Sequence, residues 1–175
     1  MTSIFELLKT RRSIRKYLPK AVEPEKISQI TLAALMSPAS KRSNPWEFIV
    51  VTENEMLFKL SESRSHSSQM LADSPLGIVV IANSTKSDVW MEDASIAAII
   101  MQLQAQDLGL GSCWIQVYGR KKDDDITAEE FIRELLNIPD QFHVLCILSI
   151  GYPNEQKNNF DTGKLAISKI HSEMF

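Results

Sequence analysis

Cysteine is scarce in this chain. Cys113 and Cys146 are the only two in 175 residues, and each lies inside an apolar run, so a disulfide framework is excluded and both read as small buried hydrophobes. Histidine is nearly as thin: His66, His143 and His171 are scattered, no cysteine has a ligand partner at useful spacing, and no metal centre is expected. Glycine occupies six positions, and the one pair resembling a dinucleotide fingerprint, Gly109-Leu110-Gly111, closes a helix and enters a strand. That order is the reverse of the one that aims a helix dipole at pyrophosphate, which excludes a Rossmann site. A G-x-S-x-G elbow is missing, and Ser112 has no recognisable histidine or acid partner for nucleophilic catalysis. No apolar run approaches a membrane span, and Ile4-Phe5 is followed at once by Glu6 and Lys9, unlike a signal peptide, so a cytoplasmic location is expected. Positive charge is not in excess. A formal net charge of −3 and a pI near 5.6 argue against nucleic acid as a partner.

What is present is 44% hydrophobic and 23% charged residues, which reads as a single α+β domain over residues 1–175, with four or more strands between helices. Ser3-Ile4-Phe5-Glu6 is a capping box, predicting a helix from Ile4 to about Arg11. Glu23-Pro24-Glu25 opens a second helix with Ile27, Ile30 and Ala34 as its buried stripe, stopping before Pro38. Strands are expected over 47–52, 77–82, 112–117 and 144–150, a short helix over 55–60, and a mobile serine-rich surface segment over 61–68. A helix over 88–108 carries apolar residues around nearly its whole circumference, which implies burial on both sides, within the core or against a second subunit. Asp123-Asp124-Asp125 reads as a solvated turn, Thr127-Ala128-Glu129-Glu130 as a capping box for a helix to about Leu136, and 164–173 as a short terminal helix.

Against this background one run stands out: Arg11-Arg12-Ser13-Ile14-Arg15-Lys16-Tyr17 gathers four cations in an acidic protein. Guanidinium forks and a hydroxyl suit a phosphate or a carbonyl edge, pointing to an anionic small molecule. The alternative is that these cations lie solvated at the negative end of the first helix. A second polar stretch, Ser37 to Pro45, joins a helix to a strand, a placement that often carries function.

Four segments in order resemble the nitroreductase family of FMN-dependent oxidoreductases. Arg11-Arg12-Ser13-Ile14-Arg15 is similar to the family's R-R-S-x-[RK], and Pro38-Ala39-Ser40-Lys41-Arg42-Ser43-Asn44-Pro45-Trp46 to its P-S-S-x-N-x-[QN]-P-W. Gly109-Leu110-Gly111-Ser112-Cys113-Trp114 and Ile150-Gly151-Tyr152-Pro153 follow its G-L-G-S-C-W and I-G-Y-P. The resemblance implies a three-layer α+β fold with a central, mostly antiparallel sheet, and a homodimer with FMN at the subunit interface. Arg11 and Ser13, assisted by Arg12, would grip the phosphate, and Arg15 would face the pyrimidine edge. The loop holding Pro38, Ala39, Ser40, Arg42 and Asn44 would reach the flavin from the other subunit, Asn44 offering its amide to the ring. Gly109, Leu110, Gly111 and Ser112 would lie beside the flavin, and Lys164, or alternatively Lys157, would reach the phosphate. Arg42 stands where the family usually has asparagine and Ala39 replaces a serine; Arg42 is expected to point to solvent. Trp46 and Trp114 are expected in core packing. The implied activity is ping-pong transfer from NADH or NADPH through FMN to an electron-poor small molecule such as a nitroaromatic, quinone or flavin, with no catalytic side chain required. The rivals are a dehalogenase-type flavin enzyme and a non-catalytic module binding FMN or a phosphorylated ligand.

Overall fold

Strands that are buried along nearly their whole length need cover on both faces, and the two longest here, β2 (Leu76–Asn83) and β4 (Phe142–Gly151), form the centre of the sheet. The computed structural model describes residues 3–175 and sets β1 (Trp46–Val51) beside β2 and β3 (Gly111–Gln116) beside β4, every pair antiparallel. The order β1-β2-β4-β3 therefore puts β1 and β3 at opposite edges, roughly 14 Å apart at the usual strand spacing.

Two apolar cores lie on the two faces of this sheet. One joins Ile78, Val80, Cys146 and Leu148 to α2 (Pro24–Leu35) and α4 (Trp90–Asp107), against which α1 (Ile4–Thr10) also packs. The other joins Val79, Ile81, Val144 and Ile147 to α3 (Asn54–Ser61) and α5 (Ala128–Leu135). The result is the three-layer, antiparallel α+β architecture expected. Helix starts follow the sequence signals: Ser3 Oγ accepts the Glu6 amide, Pro24 opens α2, and the Thr127–Glu130 capping box closes in both directions.

Two expectations change. Residues 164–173 form no α-helix; the tail carries only two 3-10 turns, Thr162–Lys164 and Ile167–Lys169, because nothing in its own chain packs against it. The serine-rich segment is folded in: Ser63 and Ser68 are fully buried, and the Ser68 hydroxyl donates to the Ser61 and Arg64 carbonyls at 2.6 and 3.2 Å. Within one chain, α4 is buried through Ala94, Ala97, Ala98, Met101 and Ala105. Ile96 and Ile99 face outward, so within one chain its second apolar side stays uncovered.

Candidate functional site

The basic run leaves α1 at Arg11 and lies along the outer edge of β3. Ser13 pairs with Ser112 in parallel, and the Ile14 amide donates to the Ser112 carbonyl at 3.0 Å. Gly111 makes this approach available, since a Cβ there would stand 2.7 Å from the Ile14 Cβ. Tyr17 locks the far end: its hydroxyl donates to the Ile14 carbonyl at 2.6 Å and lies 2.8 Å from Ser149 Oγ, and burial pushes its pKa far up.

Within the run, neighbouring side chains go to different places. Burial pushes the Cys113 thiol up, while the positive fields of Arg15 and Arg11 oppose it from the run that bridges to neighbouring Ser112. Arg12 turns away: it donates to the Asn158 carbonyl at 2.6 Å and sits 4.6 Å from the centre of the Phe160 ring. Among the described residues, the only arginine with a carboxylate partner is Arg133, on Asp140. Lysines behave otherwise, with Lys9, Lys20, Lys26, Lys41, Lys59, Lys122, Lys157 and Lys164 all paired to acids. Glu155 beside the run accepts the Arg15 backbone amide at 2.6 Å and pairs with Lys157 at 2.7 Å, which leaves the guanidinium groups of Arg11 and Arg15 suited to an anion.

Beyond Ser112, the same edge continues without a strand partner. Since the Ser112 carbonyl points outward, alternation turns the backbone groups of Trp114 and Gln116 outward as well. The span from Ser112 to Gln116 is roughly 13 Å at the usual rise. Arg64 closes its far end, donating to the Gln116 carbonyl at 3.2 Å, and burial first, then the nearby Arg120 cation, hold its guanidinium below the usual value. The edge thus offers outward amide groups between cations at both ends. From inside, Gln102 of α4 donates to Ser112 Oγ at 3.2 Å.

The remaining expected residues divide. Gly109, with φ +76, ends α4, and with Leu110, Gly111, Arg12 and Lys157 it lines a shallow cleft of about 160 Å³. Lys157 is therefore brought to the run, whereas Lys164 is 85% exposed and pairs with Asp161. Arg15 also borders a larger cleft of about 1090 Å³ beneath residues 15–22. Pro38, Ala39, Ser40, Arg42 and Asn44 lie elsewhere, in the loop feeding β1 at the opposite edge of the sheet. Their own chain does not bring them to Arg11, Ser13 and Arg15. In that loop Lys41, Arg42 and Asn44 all have left-handed backbones (φ 53, 56 and 41), and Arg42 is exposed. Ser37 Oγ, Ser43 Oγ and Trp46 Nε1 are buried there without a hydrogen-bond partner among the described residues. Trp46 itself stacks on Phe48 at 5.6 Å in the core, and the Trp114 indole donates to Gln116 Oε1 at 2.9 Å while packing on the same core.

Sequence reasoning missed Arg64, Gln102 and Asp93. Arg64 was hidden in a segment whose serines suggest mobility, and the other two in a helix read for its apolar residues. The Asp93 carboxylate, 3% exposed in α4, accepts the Ser40 amide at 2.8 Å and the Ser87 hydroxyl at 2.9 Å.

Comparisons with known proteins bear on the family and the fold. The profile of the nitroreductase family matches residues 8–65 and 52–152. An FMN-dependent nitroreductase of Clostridium difficile R20291 superimposes with a TM-score of 0.97 at 50% identity, covering 98% of this chain and 100% of that one. A Parabacteroides distasonis structure, provisionally named NADH dehydrogenase/NAD(P)H nitroreductase, gives a TM-score of 0.88 at 31% identity, covering 98% of each chain. A protein of Archaeoglobus fulgidus with the same provisional name is 36% identical over 178 residues, 99% of each chain. Among the described residues, no helix is long and apolar enough to cross a membrane.

Proposed function

The chain belongs to the nitroreductase family, and on that premise we propose that it is an FMN-dependent oxidoreductase passing electrons from NADH or NADPH to an electron-poor small molecule such as a nitroaromatic, quinone or flavin. The observation that carries this reading is the basic run seated along the outward edge of β3 through the Ser13–Ser112 bridge, with Arg11 and Arg15 guanidinium groups that form no ion pair among the described residues. Those residues fit FMN in chemistry: guanidinium forks for a phosphate, and strand-edge amides and a part-buried cation for a flat ring with polar edges.

Bound FMN would supply the hydride and electron transfer. The chain's own part is binding, orientation and charge. Arg11 and Ser13 hold the phosphate end, with Lys157 from the tail, and Arg15 the pyrimidine edge. The outward Trp114 and Gln116 amides would border the ring, and Arg64 would add positive charge at the end of that edge away from Arg15. Arg12 serves the tail instead.

Two copies complete the site. The loop from Pro38 to Asn44 is tied to the opposite sheet edge, so it reaches a β3 edge only from another protomer. Exposed Phe5 of α1, Leu35 of α2 with Met36 just beyond it, and Ile96 and Ile99 of α4 supply the apolar surface such a homodimer buries.

Purified protein should be yellow and release FMN on denaturation, and under anaerobic conditions NADH or NADPH should bleach it rapidly. A colourless protein that takes up no added FMN would contradict the reading, as would a flavin that neither nicotinamide reduces.

A further inference from the structure

The loop between α2 and β1 holds its shape against its own preferences. Three of its non-glycine residues, Lys41, Arg42 and Asn44, occupy the left-handed region, which costs about 1–2 kcal/mol for an ordinary residue. Internal hydrogen bonds are few: Arg42 N–H to the Ala39 carbonyl at 3.2 Å and Ser43 N–H to the Ser40 carbonyl at 2.9 Å. Two cations sit side by side, and Asp88 is a largely solvated partner of Lys41 at 3.7 Å.

Besides the Asn83 amide on the Pro45 carbonyl at 2.8 Å, where the loop enters β1, a buried carboxylate ties this turn to the rigid body of the protein. Asp93 lies in the first turn of α4, buried beside Trp90 and Ala94, with one carboxylate oxygen on the Ser40 amide and the other on Ser87 Oγ. Ser87 Oγ in turn accepts the Val89 amide at 3.3 Å, which fixes the hydroxyl as a donor toward Asp93. A buried carboxylate that accepts two hydrogen bonds is costly to leave short of either one, so the pairing is strongly held. Ser37 Oγ, Ser43 Oγ and Trp46 Nε1 stay buried and unpartnered around the same turn. The turn is thus strained, clamped at one amide, and surrounded by unused donors.

We infer that Asp93 is a positioning residue of the flavin site, acting through Ser40 to fix the loop that one protomer inserts beside its partner's flavin. This rests on the two-chain reading given above. Asp93 does not touch the cofactor; it holds the segment that does. Its carboxylate sets where the Ser40–Asn44 turn stands before FMN arrives, so FMN does not have to order that turn on binding.

The test uses full-length protein with Asp93→Ala, Asp93→Asn and Ser87→Ala. In apo-protein, limited trypsin cleavage after Lys41 and Arg42 should speed up about tenfold in Asp93→Ala, matching loss of a hydrogen bond to a charged group. Asp93→Asn should return most of the protection, because its amide oxygen can still accept from Ser40. With FMN added, Asp93→Ala should bind about tenfold more weakly, with an altered visible circular dichroism band, and Asp93→Asn should recover both. If Asp93→Ala fails to fold, Ser87→Ala, which removes one of the two contacts, should move both readouts in the same directions by a smaller factor. Wild-type cleavage rates in the variants would overturn the clamp, and faster cleavage with unchanged FMN affinity and dichroism would overturn its role at the flavin. Wild-type protein that binds no FMN would overturn the proposed function itself, and this inference with it.

Discussion

The Arg12 guanidinium sits 4.6 Å from the centre of the Phe160 ring and donates to the Asn158 carbonyl, so it fastens the tail 146 residues away in sequence. Neighbouring cations in one motif thereby serve two separate ends. The Phe160 amide, bound to the Lys9 carbonyl at 2.9 Å, completes the fastening.

Arg11→Ala and Arg12→Ala should therefore differ. Removing Arg11 should weaken FMN binding by about ten- to a hundredfold, the size of a lost charge-assisted hydrogen bond. Removing Arg12 should change affinity far less and instead accelerate proteolysis within the tail. Equal losses of FMN affinity in titrations of the two variants would refute the division.

Gly111→Ala places a methyl group 2.7 Å from the Ile14 Cβ, where the basic run crosses β3. Overpacking of this kind costs about 1–3 kcal/mol, and relief requires the run to lift off the strand. Thermal melts of apo-protein should drop and FMN titration should weaken together; a variant with wild-type values in both would show that the run is not seated on Gly111.

Arg64 lies at the far end of the β3 edge with its guanidinium half-buried and on the Gln116 carbonyl. A cation there favours the more negative, reduced ring, so Arg64→Ala should lower the FMN midpoint potential, and Arg64→Lys should recover part of it. An unchanged potential in Arg64→Ala, measured by equilibrium reduction against a reference dye, would remove Arg64 from the ring's surroundings.

Away from the site, Tyr152 donates to Glu23 at 2.6 Å, and this bond, helped by Lys20, lowers the Glu23 pKa from 4.5 to about 2. A depressed folded-state value means the contribution is present above pH 4.5 and is lost as pH falls toward 2. Denaturant unfolding between about pH 5 and pH 2 should show wild-type stability falling more steeply than that of Tyr152→Phe. Parallel curves for the two proteins would show that Glu23 is not held this way.

Much of the fold was legible in residues with strong local signals. The apolar runs of β2 and β4 and the caps at Ser3, Pro24 and Thr127 fix element type before any tertiary contact forms. What escaped depends on contacts between distant segments. Nothing in the local sequence around Ser63 and Ser68 says that their hydroxyls will be buried, nor that Arg64 between them will reach β3. The terminal segment has helix-forming residues but no surface of its own chain to pack on, so the helix expected over 164–173 does not form. At the site, spacing marked the basic run and the loop before β1. It could not show that Arg12 turns toward Phe160, or that Lys157 rather than Lys164 lines the cleft with it.

The most direct test of the two-chain site is a mixed dimer of Arg15→Glu protomers with protomers whose Ser40–Asn44 turn is replaced by a glycine-serine linker. Each homodimer should bind no FMN, while the mixed dimer regains one intact pairing of run and loop and should bind one FMN. A mixed dimer that stays empty would place both elements in the same chain's site and contradict the account.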